Sequence, residues 1–182
     1  MTDTELSSGV IDKQIEMKKQ IALAIAPFAM VTAGLAQSSS ANIIISGQVK
    51  ALAAITATAA PALTDTELNT GVTDKQMSVV NEKSNRNVGY SVALKSANAA
   101  AASSSQARMK PISAGNSDLI NYSIKYNGVA VVLGINGQAT VTTAAGKTPG
   151  AGVNKNLTIT IGAGFPAADT YADTITLTLT NN

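Results

Sequence analysis

The sequence contains no cysteine, no histidine and no tryptophan. A chain without Cys or His has no thiol nucleophile, no disulfide, no Cys/His zinc site and no histidine general base, which disfavours an enzyme and gives no reason to expect a cofactor. Aromatic residues make up only 3% of the chain, so its core must be built from Val, Ile, Leu and Ala. Charged residues are scarce at 13%, and the net charge of +2 comes from scattered Lys and Arg. No basic footprint for nucleic acid is therefore predicted.

Residues 17–36 (MKKQIALAIAPFAMVTAGLA) have the features of a secretion signal. Two lysines form a basic start, an apolar run follows, and Gly-Leu-Ala provides small residues for cleavage. We predict cleavage between Ala36 and Gln37. The apolar run is too short for a comfortable membrane span. A buried helix of the folded domain and a retained membrane anchor are the alternative interpretations.

Residues 2–14 (TDTELSSGVIDKQ) repeat residues 64–76 (TDTELNTGVTDKQ) with three differences. One duplicated segment is not a periodic array, so it does not predict a solenoid. Residues 1–16 are interpreted as an uncertain extension, either translation from a start codon upstream of Met17 or a functional segment.

A short β-prone run follows the signal at residues 42–49 (NIIISGQV). In an extended conformation alternate side chains share a face, and here that face carries Ile43, Ile45, Gly47 and Val49. A polar leader precedes the run, and its other face is mixed. The pattern favours a strand that pairs with the sheet edge of a neighbouring copy.

The remainder reads as a series of short strands with alternating apolar residues. They are predicted at residues 77–81, 88–95, 108–112, 119–126, 129–133, 139–143, 157–161 and 174–180. Asn127-Gly128 between two β-prone runs predicts a type I′ hairpin, because both turn positions require positive φ. Asn136-Gly137 predicts a second turn.

Most of the intervening segments are predicted to be loops or turns. Residues 64–75 are expected to be a polar loop or weak strand, residues 82–87 a polar turn, and residues 96–106 a Ser/Ala-rich surface loop. Residues 50–63 are ambiguous between helix and strand. At least six strands without a convincing helix after the signal predict an all-β, antiparallel β-sandwich.

The sequence offers only weak candidates for catalytic or ligand-binding motifs. Asp169 and Asp173 lie close in sequence, but capping of the turn into the last strand is a better interpretation than acid/base catalysis. Residues 146–152 (GKTPGAG) lack the residue order of a phosphate-binding loop and a following helix. The sequence therefore predicts neither catalysis nor a metal site.

Several segments together resemble bacterial chaperone–usher pilins, of the spore-coat-U (archaic) and alpha-fimbrial types. The matching segments are GYSVALKS (residues 89–96), Arg108-Met109, LINYSIKY (residues 119–126) and ITIGAGFPAADTYADTITLTLT (residues 159–180). The resemblance covers roughly residues 42–182. Archaic subunits often carry a disulfide, whereas alpha-type subunits, like this chain, do without one.

The resemblance implies an immunoglobulin-like sandwich that lacks one strand and is completed by a donor strand. The donor residues would be Ile43, Ile45, Gly47 and Val49. The acceptor groove would lie along the terminal strand, at Ile175, Leu177 and Leu179. The implied partners are neighbouring copies in a head-to-tail homopolymer, a periplasmic chaperone and an outer-membrane usher, and the implied location is a surface fimbrium serving adhesion or biofilm formation.

The predicted organisation is an extension (1–16), a signal peptide (17–36), a donor segment (37–50) and a pilin domain (51–182). The main alternative is a self-contained secreted or periplasmic β-sandwich, a binding or coat protein in which residues 42–49 complete their own sheet. A periplasmic enzyme is disfavoured by the missing His and Cys. A tip adhesin is disfavoured because no second, lectin-like domain is present.

Overall fold

The structure is a computed structural model that describes residues 41–182. The predicted extension, the signal peptide and the cleavage site at Ala36 and Gln37 lie outside the described residues. One compact unit covers residues 47–182.

Ten strands and two short helices make up the described chain. In order they are β1 (Ala53–Ala59), α1 (Asp65–Thr70), β2 (Val72–Ser84), β3 (Tyr90–Ser96), α2 (Ala97–Ala101), β4 (Arg108–Pro111), β5 (Ile120–Tyr126), β6 (Val129–Val131), β7 (Gln138–Ala144), β8 (Val153–Ile161), β9 (Tyr171–Ala172) and β10 (Ile175–Asn181).

The strands form two sheets, and every pairing between them is antiparallel. The larger sheet has seven strands in the order β1-β2-β8-β5-β4-β9, with β6 paired to β5. The smaller sheet has the order β10-β3-β7. The prediction of a mainly β, antiparallel fold is therefore confirmed.

Residues from both sheets contribute to a single hydrophobic cluster. Because successive side chains of a strand point to opposite faces, alternate residues enter the core. In β8 these are Leu157, Ile159 and Ile161, and in β3 they include Val92 and Leu94, all at most 6% exposed. Val88, predicted to continue the apolar face of β3, precedes the strand and is 60% exposed.

The predicted hairpin is present. Asn127 and Gly128 both have positive φ, 51° and 80°, and they connect β5 to β6 through the pair Tyr126 and Val129. These values are those of a type I′ turn. Asn136-Gly137 also forms a turn, in which the Gly137 N–H donates to the Gly134 carbonyl, and β7 follows directly.

The prediction of a loop or weak strand at residues 64–75 was wrong for its first half, which α1 occupies, whereas residues 72–75 are strand, at the start of β2. Thr64 is the N-cap residue: its Oγ1 accepts from the Glu67 N–H, and the Glu67 carboxylate accepts from the Thr64 N–H. This reciprocal capping box satisfies two amide donors at the helix start. The motif Thr-x-x-Glu was present in the sequence and predicts this helix.

The predicted turn at residues 82–87 and the predicted loop at residues 96–106 were each wrong in part. Residues 82–84 continue β2, and the Glu82 side chain is fully buried. Residues 97–101 form α2, in which Ala99 is fully buried and Ser96 caps the helix by accepting from the Ala99 N–H. A small apolar residue was enough to anchor this helix, so the absence of a large one did not imply a surface loop.

The short strand with Pro111 was predicted at a sheet edge. β4 instead lies between β5 and β9, and Pro111 pairs with Tyr171 of the two-residue strand β9. Pro111 is the last residue of β4, and its partner strand β9 is only two residues long.

Candidate subunit interface

Strand β10, which carries the predicted groove residues, has a partner on one side only. The Thr174 carbonyl accepts from the Ala97 N–H, and the Asn182 N–H donates to the Gly89 carbonyl. The even-numbered residues of β10 are therefore the ones whose backbone groups bond to β3. Because hydrogen-bonded and non-bonded pairs alternate in an antiparallel ladder, the backbone groups of Ile175, Leu177 and Leu179 face away from β3. Among the described residues no strand pairs with that edge.

The apolar side chains of β10 are only partly covered. The side chains of Ile175, Leu177 and Leu179 are each partly exposed, whereas their partners in β3 are fully buried and the core residues are at most 7% exposed. Ile175 and Leu177 still pack against the edge of the hydrophobic cluster. The terminal strand therefore offers apolar side chains and unpaired backbone groups along the same edge.

Strand β1 has a corresponding free edge in the other sheet. The Ala60 N–H donates to Met77 and the Leu52 carbonyl accepts from Asn85, so the even-numbered residues of β1 bond to β2. The backbone groups of Ala53, Ile55 and Ala57 consequently face away from β2. Ile55 is partly buried and packs against the core.

The two free edges are neighbours, and a hydrogen bond closes one end of the gap. The Asn181 Nδ2 donates to the Leu52 carbonyl at 3.2 Å, while its Oδ1 accepts from the Ser84 hydroxyl at 2.7 Å. Because β1 begins where β10 ends, the two strands run in opposite directions along the gap. We call this feature the β1/β10 groove.

The predicted donor residues lie outside every strand of the described chain. Residues 41–52 have no regular secondary structure. Ile43, Ile45 and Val49 are 86%, 92% and 87% exposed, and a Cβ at Gly47 would meet no atom within 4 Å. Residues 42–49 therefore belong to no strand of the described chain.

The two aspartates considered for catalysis are occupied by hydrogen bonds. Asp173 accepts from the Ser96 and Tyr122 hydroxyls, both at 2.6 Å, and from the Asn98 and Thr174 N–H groups. Burial, together with the hydrogen bond to Asp173, raises the pKa of Tyr122 far above its usual value. This carboxylate ties the start of β10 to β3, α2 and β5.

Asp169 has a similar role on the preceding loop. It accepts from the Ser113 N–H and hydroxyl, the Asn116 amide and the Thr170 N–H. Although partial burial acts to raise the pKa of Asp169, these hydrogen bonds outweigh it and lower the pKa. The interpretation as turn and loop caps fits both aspartates better than catalysis.

No protein-family model matches the sequence, and no curated protein matches it significantly. In the part of the chain that the structure describes, no group of three His, Cys, Asp or Glu side chains is placed to hold a metal ion. Within the same residues, no helix has the length and hydropathy needed to cross a membrane.

Proposed function

We propose that the chain is a structural subunit of a surface pilus, assembled by the chaperone–usher route through donor-strand exchange. In this proposal residues 51–182 are an immunoglobulin-like sandwich that lacks one strand, and a neighbouring copy supplies it. The observation that carries the proposal is the β1/β10 groove, where two unpaired strand edges flank a partly exposed apolar face.

The leader has the chemistry that the groove requires. Ile43, Ile45 and Val49 follow the two-residue period of a strand, and β10 presents Ile175, Leu177 and Leu179 with the same period. In β-strand addition, main-chain hydrogen bonds supply affinity and alternate side chains fill pockets. Gly47, which has no side chain, would take the fourth position on the same face of the inserted strand.

The energies are large enough for a stable polymer. Burying three branched side chains stabilises by roughly 1.5–3 kcal/mol each, and each net ladder hydrogen bond adds about 0.5–1.5 kcal/mol. The total is on the order of 10 kcal/mol, which is comparable with the stability of a whole domain. A subunit with an empty groove would therefore be marginal and prone to pair with other edges.

The proposed partners follow from that instability. A periplasmic chaperone covers the groove after export, and an outer-membrane usher exchanges it for the leader of the next subunit. Head-to-tail donation is a heterologous contact that does not close on itself, so it produces an open filament on the cell surface. A role in adhesion or biofilm formation rests on the family resemblance.

A complementation experiment tests the proposal. A chain lacking residues 37–50 is purified with a peptide of residues 42–50, and with a control peptide in which Ile43 and Ile45 are aspartate. At a peptide concentration about 100-fold above Kd the native peptide stabilises by about 2.7 kcal/mol. This raises Tm by roughly 8 °C. In cells, the same deletion should abolish polymerisation, while the shortened chain should still bind its chaperone.

Two results would contradict the proposal. One is a shorter chain whose Tm responds equally to the native and the control peptide. The other is a deletion variant that still forms filaments. An unfolded deletion variant that the native peptide cannot refold would return the self-contained sandwich as the better interpretation.

A further inference from the structure

A second surface lies at the end of the molecule where β8 leaves the large sheet. It is an open groove of ≈ 510 Å³, with Leu68, Leu119, Phe165 and Pro166 in its lining. Phe165 is 96% exposed and Leu119 is 45% exposed. A chain with only two phenylalanines thus leaves one of them almost wholly in solvent, beside other apolar side chains. We call this surface the Phe165 groove.

The rim of the Phe165 groove is acidic. Asp65, Asp118 and Asp169 line the groove or its continuation along residues 165–169. Asp118 Oδ2 accepts from the Ala167 N–H at 2.8 Å, which fixes the loop that carries Phe165. None of the three aspartates belongs to an ion pair of the described residues. Glu67 on α1 is neutralised by Lys75.

The opposite end of the molecule is basic. Four cations lie around the connection from β2 to β3, namely Lys50, Lys83, Arg86 and Lys147. The Lys50 carbonyl accepts from the Asn85 side-chain amide. The N–H of Thr148, next to Lys147, donates to the Ser84 carbonyl. Arg86 donates to the Asn182 carbonyl, and no ion pair of the described residues involves these four cations. Val88 is exposed among them.

The acidic surface and the basic surface are too far apart to contact each other within one chain. Strand β2 connects them, since Val72 pairs with Ile161 beside the Phe165 groove and Ser84 lies at the basic end. Thirteen residues of strand span roughly 35–40 Å. Only a second molecule placed end to end can bring the acidic, apolar surface against the basic one.

We propose that the Phe165 groove is the docking site for the basic end of a second copy of this chain, with Val88 entering the groove. The inference deepens the proposed donor-strand assembly and rests on it. Opposite charges on the two surfaces set the relative orientation of the copies, as complementary potentials do at other interfaces.

The docking fixes the direction of the inserted strand. Since β1 and β10 run in opposite directions, a donor strand is parallel to one of them and antiparallel to the other. If it ran parallel to β10, the donor's body would emerge at the acceptor's basic end, and two basic surfaces would meet. An orientation antiparallel to β10 places the donor's basic end against the acceptor's Phe165 groove.

Cysteine cross-linking of filaments tests the contact, and the native chain contributes no background thiol. Asn87→Cys beside Val88 is combined with Ala163→Cys in the groove lining. The control combines Val132→Cys, which is also at an exposed position, with Ala163→Cys. Mild oxidation should give a ladder of dithiothreitol-sensitive multimers with the first pair only. Equal ladders with both pairs, or filaments that show no ladder, would overturn the docking.

Charge exchange provides the second measurement. Replacing Lys50, Arg86 and Lys147 by Glu should lower the cross-linking yield at least about fivefold, and adding Asp65→Lys and Asp118→Lys should restore it. An unchanged yield, or no restoration in variants that still form filaments, would overturn the charge pairing.

Failure of the proposed function is recognisable separately. In that case the chain forms no filaments at all, and the same cysteine pair is then oxidised in the concentrated full chain. A cross-link under those conditions supports end-to-end docking without strand donation, and its absence overturns the docking.

Discussion

The Tyr126 hydroxyl donates to Glu82 Oε1 at 2.7 Å, and the two residues are 44 positions apart in the sequence. Thr142 donates to the same oxygen at 2.8 Å, and Tyr90 donates to Oε2 at 2.9 Å. Glu82 and Tyr126 belong to the large sheet, while Tyr90 and Thr142 belong to the small one. One fully buried carboxylate therefore links both sheets through three hydroxyl groups.

Replacing Glu82 should destabilise the domain strongly. Glu82→Ala leaves two buried tyrosine hydroxyls and one partly buried threonine hydroxyl without their acceptor and opens a cavity, so we expect a loss of about 3–5 kcal/mol in the free energy of unfolding. Glu67→Ala on the surface of α1 is the matched control and should cost much less. Urea unfolding of both variants measures the difference, and equal losses would show that the buried network contributes nothing.

Stability should fall in alkaline solution because of the buried tyrosines. Burial and the bond to Glu82 raise the pKa of Tyr90 to about 12, and burial raises those of Tyr122 and Tyr126 further. Between pH 10 and 12 the unfolded chain then loses phenol protons that the folded chain keeps. The free energy of unfolding should decrease by up to about 1.4 kcal/mol per pH unit for each tyrosine.

The alkaline effect can be assigned by substitution. Tyr122→Phe removes one of the three phenols, so the slope of stability against pH above pH 10 should become shallower by about one third. Urea unfolding at intervals from pH 9 to 12 provides the slope. An identical slope in the variant would contradict the assignment.

Two glycines with similar φ should respond differently to alanine. Gly89 has φ +92°, and a Cβ there would lie 1.8 Å from the Ala144 carbonyl oxygen in the neighbouring strand. Gly128 has φ +80° in the hairpin turn but open space around it. Gly128→Ala should therefore cost about 1–2 kcal/mol for conformation alone, and Gly89→Ala considerably more. Thermal unfolding ranks the pair, and a reversed order would contradict the close approach of β3 to β7.

The two faces of β10 should respond differently to charge. Leu177→Asp places a carboxylate in the β1/β10 groove, where an inserted strand would bury it, whereas Thr178→Asp lies on the exposed face of the same strand. We expect the first variant to lose polymerisation and the second to retain it. Gel analysis of unheated filaments compares them. Equal polymerisation of both variants would argue against insertion beside β10.

The sequence predicts the elements whose signals are local. The alternation of Leu157 and Ile159 and the Asn127-Gly128 turn each depend on a few adjacent residues, and both are present in the structure. Helix α1 also had a local signal, the Thr-x-x-Glu capping box, which a polar composition obscured.

No local sequence pattern predicts the burial of Glu82. A glutamate followed by Lys-Ser-Asn favours a turn, and only Tyr90, Tyr126 and Thr142, contributed by three other strands, make its burial favourable. The Phe165 groove was missed for the same reason, because Leu68, Leu119 and Phe165 converge from distant parts of the chain.

The position of β10 also determines when the molecule can fold. Strand β3 lies between β7 and β10, so the hydrogen bonds along one of its two edges can form only when β10 is present. Contacts between segments so distant form slowly, because the loop must close before pairing compensates for the lost entropy. A chain in which β10 has not yet paired thus exposes an edge of β3 as well as an edge of β1, and exposed strand edges can pair with other chains. In the proposed assembly, the rate at which the chaperone covers these edges sets the yield of folded protein as much as the final stability does.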